Sequence, residues 1–168
     1  MAKIHEVAGD ILLSGAHAIA HGVAPGDHFD TGLALSLRER WPALAKDFRH
    51  HCHLENPEPG DIWVWNGVLN EGGHLCIINL LTQEPAPHGT GRPGKASTEY
   101  VGRALRELGH YAKKENLASL ALPRLATGVG GLDWSEVKPL IERHLAAVDI
   151  PVYLYVTYHK GQKAVEPA

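Results

Sequence analysis

The residues best suited to chemistry lie in a glycine-rich connection between an apolar segment and the start of a helix. Residues 122–134 read LPRLATGVGGLDW and contain Gly128, Gly130 and Gly131. Glycine lets backbone N–H groups approach an anion closely, and a following helix N-terminus adds a favourable dipole. The pattern favours a phosphate or diphosphate site, and the alternative is a glycine-rich turn without a ligand.

A second glycine element, FDTGLA at residues 29–34, precedes another predicted helix. A helix N-terminus exposes unpaired N–H groups, so this element can add donors to the same diphosphate. The alternative is an ordinary helix start, with Asp30 or Thr31 as the capping residue.

Residues 89–95, GTGRPGK, match the G-x-x-x-x-G-K part of a P-loop. The next residue is Ala96 rather than the serine or threonine that would hold Mg²⁺, and Pro93 removes a backbone donor. Six residues, 83–88, also separate the motif from the preceding strand candidate. The pattern therefore favours a flexible connection over an ATPase or kinase site.

Histidine and cysteine side chains cluster at residues 50–53, HHCH. Adjacent residues on a helix point in different directions, and no second ligand cluster is evident, so we predict a solvated helix end and no metal site. Cys52 and Cys76 are the two cysteines, and their polar and apolar surroundings argue against a disulfide framework.

The elements that must position these residues alternate between strands and helices. Strands are predicted at 18–23, 61–65, 75–81, 117–122 and 152–158. One helical stretch begins at Gly32 and is split by Pro42, another follows Ser97 or Thr98, and a third opens with a capping box, Asp133 to Glu136. This alternation predicts an α/β layered domain in which ligands bind on the loops outside the strand ends.

Bulk properties narrow the class of protein further. A length of 168 residues predicts one domain, and we expect the tail after about residue 159 to be frayed. Without a signal peptide or a membrane-spanning run, the default location is the cytoplasm. The net charge of −3 argues against gripping duplex DNA, although a nucleic-acid end or a single modified nucleotide stays open. The oligomeric state is open, with a monomer favoured.

Several ordered segments together resemble the macrodomain family of ADP-ribose-binding proteins. They comprise VAGDIL, IAHGV, TGLA, NLLTQ and the glycine-rich connection, at residues 7–12, 19–23, 31–34, 79–83 and 122–134. The resemblance runs from about Ile4 to Tyr158. It is closest to the branch that holds the terminal ADP-ribose glycohydrolase and the DarG antitoxin macrodomain, whose members remove ADP-ribose from acidic side chains or from thymidine in DNA. It implies a three-layer α/β/α fold around a mixed, roughly six-stranded sheet.

The resemblance also implies a role for individual residues. Asp10 would accept a hydrogen bond from the adenine amine, Ile11 would donate its N–H, and Tyr155 would lie near adenine. His21 and Gln83 would flank the distal ribose and are the candidate catalytic residues. The diphosphate would lie between two loops, with Thr31, Gly32, Leu33 and Ala34 on one side and Thr127, Gly128, Val129 and Gly130 on the other. No cofactor is implied.

Two positions depart from the pattern of that branch. Gln83 occupies the place of its usual lysine, and Gly130 that of an aspartate often found in the glycine loop. Glutamine can neither form the lysine adduct nor act as a cation. A hydrolase would therefore use a water oriented by the diphosphate and by Gln83 or another polar group. The alternatives are a reader that binds ADP-ribose on protein or DNA without turnover, and a phosphatase acting on ADP-ribose 1″-phosphate.

Overall fold

A six-stranded sheet forms the centre of the protein. The computed structural model describes residues 3–68, 73–86 and 93–167. The strands are β1 (Lys3–Gly9), β2 (Ala18–Val23), β3 (Ile62–Val68), β4 (His74–Leu81), β5 (Leu120–Pro123) and β6 (Pro151–Tyr158). Their order is β1-β6-β5-β2-β4-β3, and edge strand β3 alone runs antiparallel to its neighbour. The sheet is therefore mixed, as predicted.

Four helices and one short 3₁₀ turn connect the strands in the described residues. They are the turn at Ile11–Leu13 and the helices α1 (Gly32–Arg40), α2 (Pro42–Glu55), α3 (Thr98–Lys114) and α4 (Trp134–Leu145). Pro42 does divide the first helical stretch, because it begins α2 at a position where no N–H is needed. Ser97 caps α3 by accepting a hydrogen bond from the Tyr100 N–H at 3.1 Å. Within the described part of the chain, no helix is long and apolar enough to cross a membrane.

Successive side chains along the strands pack into two separate hydrophobic cores. Ile78 packs in one core with residues of α3 and α4, whereas its neighbour Ile77 packs in the other with Leu37 of α1 and Phe48 of α2. Successive side chains of a strand point to opposite faces, so the helices must lie on both sides of the sheet. This arrangement confirms the predicted three-layer α/β/α fold.

Strand β1 was not predicted, β3 extends three residues beyond its predicted end, and β5 begins later than predicted. The sequence predicts a strand over residues 117–122, whereas β5 spans Leu120–Pro123. Leu117 is buried, but its N–H donates to the Ala112 carbonyl at the end of α3, and Asn116 before it adopts a left-handed conformation with φ 49°. The apolar run is thus shared between the turn that ends α3 and the strand, a division that hydrophobicity alone does not reveal.

The end of the described chain also differs from expectation. Residues 161–167 do not fray but form hydrogen bonds with the end of β1 and with the residues after it. Glu166, which looks like an ordinary tail residue in the sequence, accepts three hydrogen bonds there. The polar composition that predicts a solvated tail here supplies partners for polar groups near Asp10.

Candidate functional site

Two adjoining cavities lie at the edge of the sheet where the five parallel strands end. The first, of about 370 Å³, is the Asp10 cavity, and the second, of about 210 Å³, is the His21 cavity. Both are lined by Gly32, Leu33 and Pro123, so they adjoin, and together they are called the cleft. Ligands of open α/β sheets bind outside the carboxyl ends of the strands. The cleft therefore has the position that the sequence predicts for a ligand.

The Asp10 cavity brings together residues from β1, the 3₁₀ turn and β6. Asp10 is 6% exposed, and its Oδ1 accepts a hydrogen bond from the Leu12 N–H at 3.0 Å. Its Oδ2 accepts a second hydrogen bond, from the Gly161 N–H at 2.9 Å. Ile11 and Tyr155 line the same cavity. Burial, and the hydrogen bond that its hydroxyl donates to Glu166, raise the pKa of Tyr155, which stays protonated at neutral pH.

His21, at the end of β2, lines the second cavity. Its Nε2 lies 2.7 Å from Asn79 Oδ1, while the Asn79 amide nitrogen donates to the Trp63 carbonyl. Asn79 must therefore accept from Nε2–H, which leaves Nδ1 as an acceptor. Burial lowers the pKa of His21 to about 4, against a smaller opposing effect of the hydrogen bond to Asn79. At neutral pH His21 is an uncharged acceptor and not an acid.

Gln83 follows β4 and has a partner of its own. It is 6% exposed, and its Nε2 donates to the Gly94 carbonyl at 3.0 Å. Its backbone also pairs with that of Ala96. Gln83 lines the His21 cavity and also bonds to the residues just before α3, Gly94 and Ala96.

The glycine-rich connection between β5 and α4 forms one wall of the His21 cavity through Gly128, Val129 and Gly130. Gly128 has open space where a side chain would begin, whereas a Cβ on Gly130 would lie 2.6 Å from the Ala126 carbonyl oxygen. Ala126 adopts φ 60°, an uncommon conformation for a residue with a side chain. The loop is tightly folded, and the position at which the related branch carries an aspartate has no room for one.

The second glycine element also lines the His21 cavity, through Thr31, Gly32, Leu33 and Ala34. The capping role considered for Asp30 or Thr31 is not adopted: Thr31 is the N-cap residue but makes no side-chain capping bond. Asp30 instead forms a 2.7 Å ion pair with Arg38. Within the described residues, the start of α1 is therefore not closed by its own N-cap side chain.

Asp27 also lines the His21 cavity. It is not among the site residues predicted from the sequence. Its Oδ1 accepts from the Phe29 N–H at 2.8 Å and its Oδ2 from the Ala24 N–H at 3.4 Å. Burial raises the pKa of this carboxyl, and the two backbone hydrogen bonds partly oppose that effect. The sequence signal available for Asp27 is its position in the loop that follows β2.

Of the remaining motifs, the described residues place only Pro93 of the P-loop-like segment in the lining of the cleft. The P-loop-like segment lies largely outside the described residues, which omit 87–92. His51 stacks on Trp63 with ring centres 5.1 Å apart, Cys52 and Cys76 are free, and no cluster of possible metal ligands occurs in the described chain. A larger cavity of about 650 Å³ between α2, β3 and α3 contains none of the predicted site residues.

Sequence comparison finds relatives that act on ADP-ribose. The chain is 29% identical over 163 residues to the DNA ADP-ribosyl transferase-DNA ADP-ribosyl glycohydrolase fusion protein of Thermosipho africanus, covering 92% of this chain and 42% of the relative. It is 28% identical to the DNA ADP-ribosyl glycohydrolase of Mycobacterium tuberculosis, covering 94% and 43%. Human ADP-ribose glycohydrolase OARD1 is 22% identical, with 91% of both chains covered. The chain spans less than half the length of the two bacterial relatives.

Solved structures share the fold. The macrodomain of Thermus aquaticus DarG matches with a TM-score of 0.77 and 26% identity, covering 93% of this chain and 99% of that one. Thermosipho africanus DarTG in complex with ADP-ribose matches with a TM-score of 0.78 and 23% identity, covering 96% and 43%. The Macro domain family matches residues 29–141, more than half of the sequence. The chain therefore belongs to the Macro domain family.

Proposed function

We propose that this protein binds ADP-ribose along the cleft and hydrolyses mono-ADP-ribosyl linkages. Adenine occupies the Asp10 cavity, the diphosphate lies between the two glycine elements, and the distal ribose reaches the His21 cavity. The observation that carries this proposal is that the two cavities adjoin at Gly32, Leu33 and Pro123, with the two glycine elements beside them. The glycohydrolase activities named for the bacterial and human relatives support the reaction type.

Backbone N–H groups supply most of the binding to the diphosphate in this proposal. The first turn of α1 and the residues around Gly128 both line the His21 cavity, and their backbone N–H groups are the donors we assign to the diphosphate. Such donors need no reorganisation when an anion binds, and the helix dipole of α1 adds to the attraction. The tight folding of the glycine-rich connection keeps these donors in place.

In the hydrolysis step, water attacks the anomeric carbon of the distal ribose. The bond from that carbon to the acceptor breaks, its electron pair leaves with the acceptor, and the water proton is taken up by a base. Asp27 is the carboxylate that lines this cavity, and burial raises its pKa towards the range useful for proton transfer. Neutral His21 and Gln83 position the ribose or the water by hydrogen bonds. No lysine adduct is needed.

A reader without turnover is the second candidate. It is favoured by two observations at the positions where the related branch carries a lysine and an aspartate. The Gln83 amide is already bonded to the Gly94 carbonyl, and Gly130 cannot accept a side chain. A reader needs the same cleft, so binding alone does not separate the two functions.

The acceptor is an acidic protein side chain or thymidine in DNA. The bacterial relatives are named as acting on DNA, which supports a nucleic-acid end or single strand. The net charge of −3 supports contact with a short segment rather than with an extended duplex. Neither acceptor is favoured by a contact within the cleft.

The deciding experiment is release of free ADP-ribose from two substrates, a glutamate-modified protein and a thymidine-modified oligonucleotide. Gly128→Glu is the blocking variant, because Gly128 has space for a side chain that then repels the diphosphate. Gly130→Glu is unsuitable, since it would distort the loop itself. Leu54→Glu, on an exposed position of α2, adds the same charge as a control.

We expect release from at least one substrate by the wild type and by Leu54→Glu, and loss of release in Gly128→Glu. Release from only one substrate identifies the acceptor class. No release by the wild type, together with calorimetric binding of ADP-ribose, would replace the hydrolase with the reader. Absence of binding would overturn both.

A further inference from the structure

The chain after β6 returns to the base of the Asp10 cavity. In this segment, residues 159–167, the His159 N–H donates to the Gly9 carbonyl at 3.2 Å. The Asp10 N–H donates to the Gln162 carbonyl at 2.7 Å, and the Gly161 N–H donates to Asp10 Oδ2 at 2.9 Å. The backbone and the carboxylate of Asp10 are thus both bonded to one short stretch of chain.

Glu166 anchors the far end of this segment. Its Oε2 accepts from the hydroxyls of Ser14 and Tyr155, each at 2.6 Å, and its Oε1 accepts from the Gly15 N–H at 2.9 Å. Hydrogen bonds to an ionised carboxylate are roughly twice as strong as those between neutral groups. One side chain therefore ties β6 to the loop that follows the 3₁₀ turn.

Close packing accompanies these polar contacts. A Cβ added to Gly9 would lie 2.7 Å from the backbone nitrogen of Ala164. The hydroxyl of Tyr153 donates to the Pro167 carbonyl at 2.5 Å. The segment therefore packs against β1 and β6 along several residues.

We infer that Glu166 is a positioning residue for the adenine end of the cleft, and that the segment it anchors sets the preference for adenine by holding Asp10 and Tyr155. The inference rests on the proposed function for the identity of the ligand. Asp10 and Tyr155 line the cavity, whereas residues 161–167 contact them from outside that lining. Glu166 acts through these residues and not by touching the ligand.

The contacts with residues 161–167 hold Asp10 in place and leave its carboxylate free to accept a hydrogen bond from a ligand. Each carboxylate oxygen of Asp10 accepts one backbone hydrogen bond and retains a second lone pair. An ionised carboxylate held in this way cannot donate, so it selects a base that presents an amine. Adenine has such an amine at its six-position, whereas hypoxanthine presents a carbonyl oxygen there.

The test compares the affinities of ADP-ribose and inosine diphosphate ribose by calorimetry, because the two ligands differ only in the base. Glu166→Ala removes the anchor, and Val165→Ala is the matched control, since Val165 is its neighbour and is 84% exposed. We expect Glu166→Ala to weaken ADP-ribose binding by about tenfold and inosine diphosphate ribose binding by much less, the scale of one lost charge-assisted contact. Val165→Ala should leave both affinities unchanged.

An equal loss of affinity for both ligands would mean general loosening of the fold and would overturn the inference. Tighter binding of ADP-ribose by Glu166→Ala would also overturn it, because the segment would then oppose binding. No preference for adenine in the wild type would do the same. If Glu166→Ala does not fold, Ser14→Ala removes one of the three donors and should shift the preference in the same direction by a smaller factor. Failure of the wild type to bind ADP-ribose would overturn the proposed function as well.

Discussion

Burial keeps His21 uncharged, and this makes stability depend on pH. The pKa of His21 is lowered from 6.5 to about 4, so above pH 6.5 the folded and unfolded states are both neutral at this residue. As the pH falls from 6.5 to 4, His21 becomes protonated in the unfolded chain but stays neutral in the folded protein. At about 1.4 kcal/mol for each pKa unit, the folded state loses about 3 kcal/mol across that window.

The prediction is checked by urea unfolding between pH 7.5 and pH 4 with the wild type and His21→Gln. Glutamine can still donate to Asn79 but does not titrate, so the variant should lose less stability on acidification. All other residues are the same in the two proteins, so their contributions cancel in the comparison. Parallel pH profiles would show that His21 is not the group responsible.

Asp27 is the residue whose replacement should separate turnover from binding. Asp27→Asn removes the carboxylate but keeps an oxygen for the shorter of its two hydrogen bonds, from the Phe29 N–H, and gives up only the 3.4 Å bond from the Ala24 N–H. We expect the rate of ADP-ribose release to fall by roughly 100-fold, the usual contribution of a general base. ADP-ribose affinity, measured by calorimetry, should change by less than about twofold.

The control for that experiment is Asp30→Asn in the same loop, where the carboxylate is exposed and paired with Arg38. It should retain turnover. Unchanged turnover in Asp27→Asn would remove Asp27 from the mechanism and leave its role as a turn residue.

At the scale of elements, two helix starts that look alike in the sequence behave differently. Ser97 accepts a capping hydrogen bond at the start of α3, whereas Thr31 makes none at the start of α1. Ser97→Ala should therefore lower the free energy of unfolding by about 1 kcal/mol, the usual value of a lost cap. Thr31→Ala should change it by less than about half of that.

Urea denaturation of the two variants checks this contrast, with calorimetry of ADP-ribose as the second measurement. Thr31 lines the cleft, so its variant is the one expected to alter ligand affinity. A large loss of stability in Thr31→Ala would mean that the α1 start is closed by a cap after all. The N–H groups at the start of α1 would then be bonded to a cap and not available to a ligand.

At the scale of the whole molecule, binding in the cleft links elements that are far apart in the sequence. The cleft is lined from β1, α1, the glycine-rich connection and β6, so the ligand contacts the folded state and not the unfolded chain. ADP-ribose at 100 times its dissociation constant should stabilise the protein by about 2.7 kcal/mol. Thermal unfolding with and without ligand measures this, and Gly128→Glu should show no shift. A shift retained in that variant would place the ligand elsewhere.

Much of the fold was predictable from local patterns. Runs of apolar residues mark β2 and β4, Pro42 marks the division between α1 and α2, and the capping box marks the start of α4. These signals are local, because periodicity, helix caps and proline act over a few residues. Gly32 and Gly128 line the same cavity, in keeping with the prediction that both glycine elements contribute to one ligand site.

The sequence by itself determined most of the elements, though not β1, together with their α/β alternation and the two glycine-rich loops, because each depends on neighbouring residues. Only the tertiary structure decided that Asp27 enters the cleft, that Gly130 has no room for a side chain, and that residues 161–167 return to hold Asp10. The last of these depends on Gly161 and Asp10, which lie 151 positions apart in the sequence. No local pattern encodes such a meeting, since it exists only when the sheet brings the ends of β1 and β6 side by side.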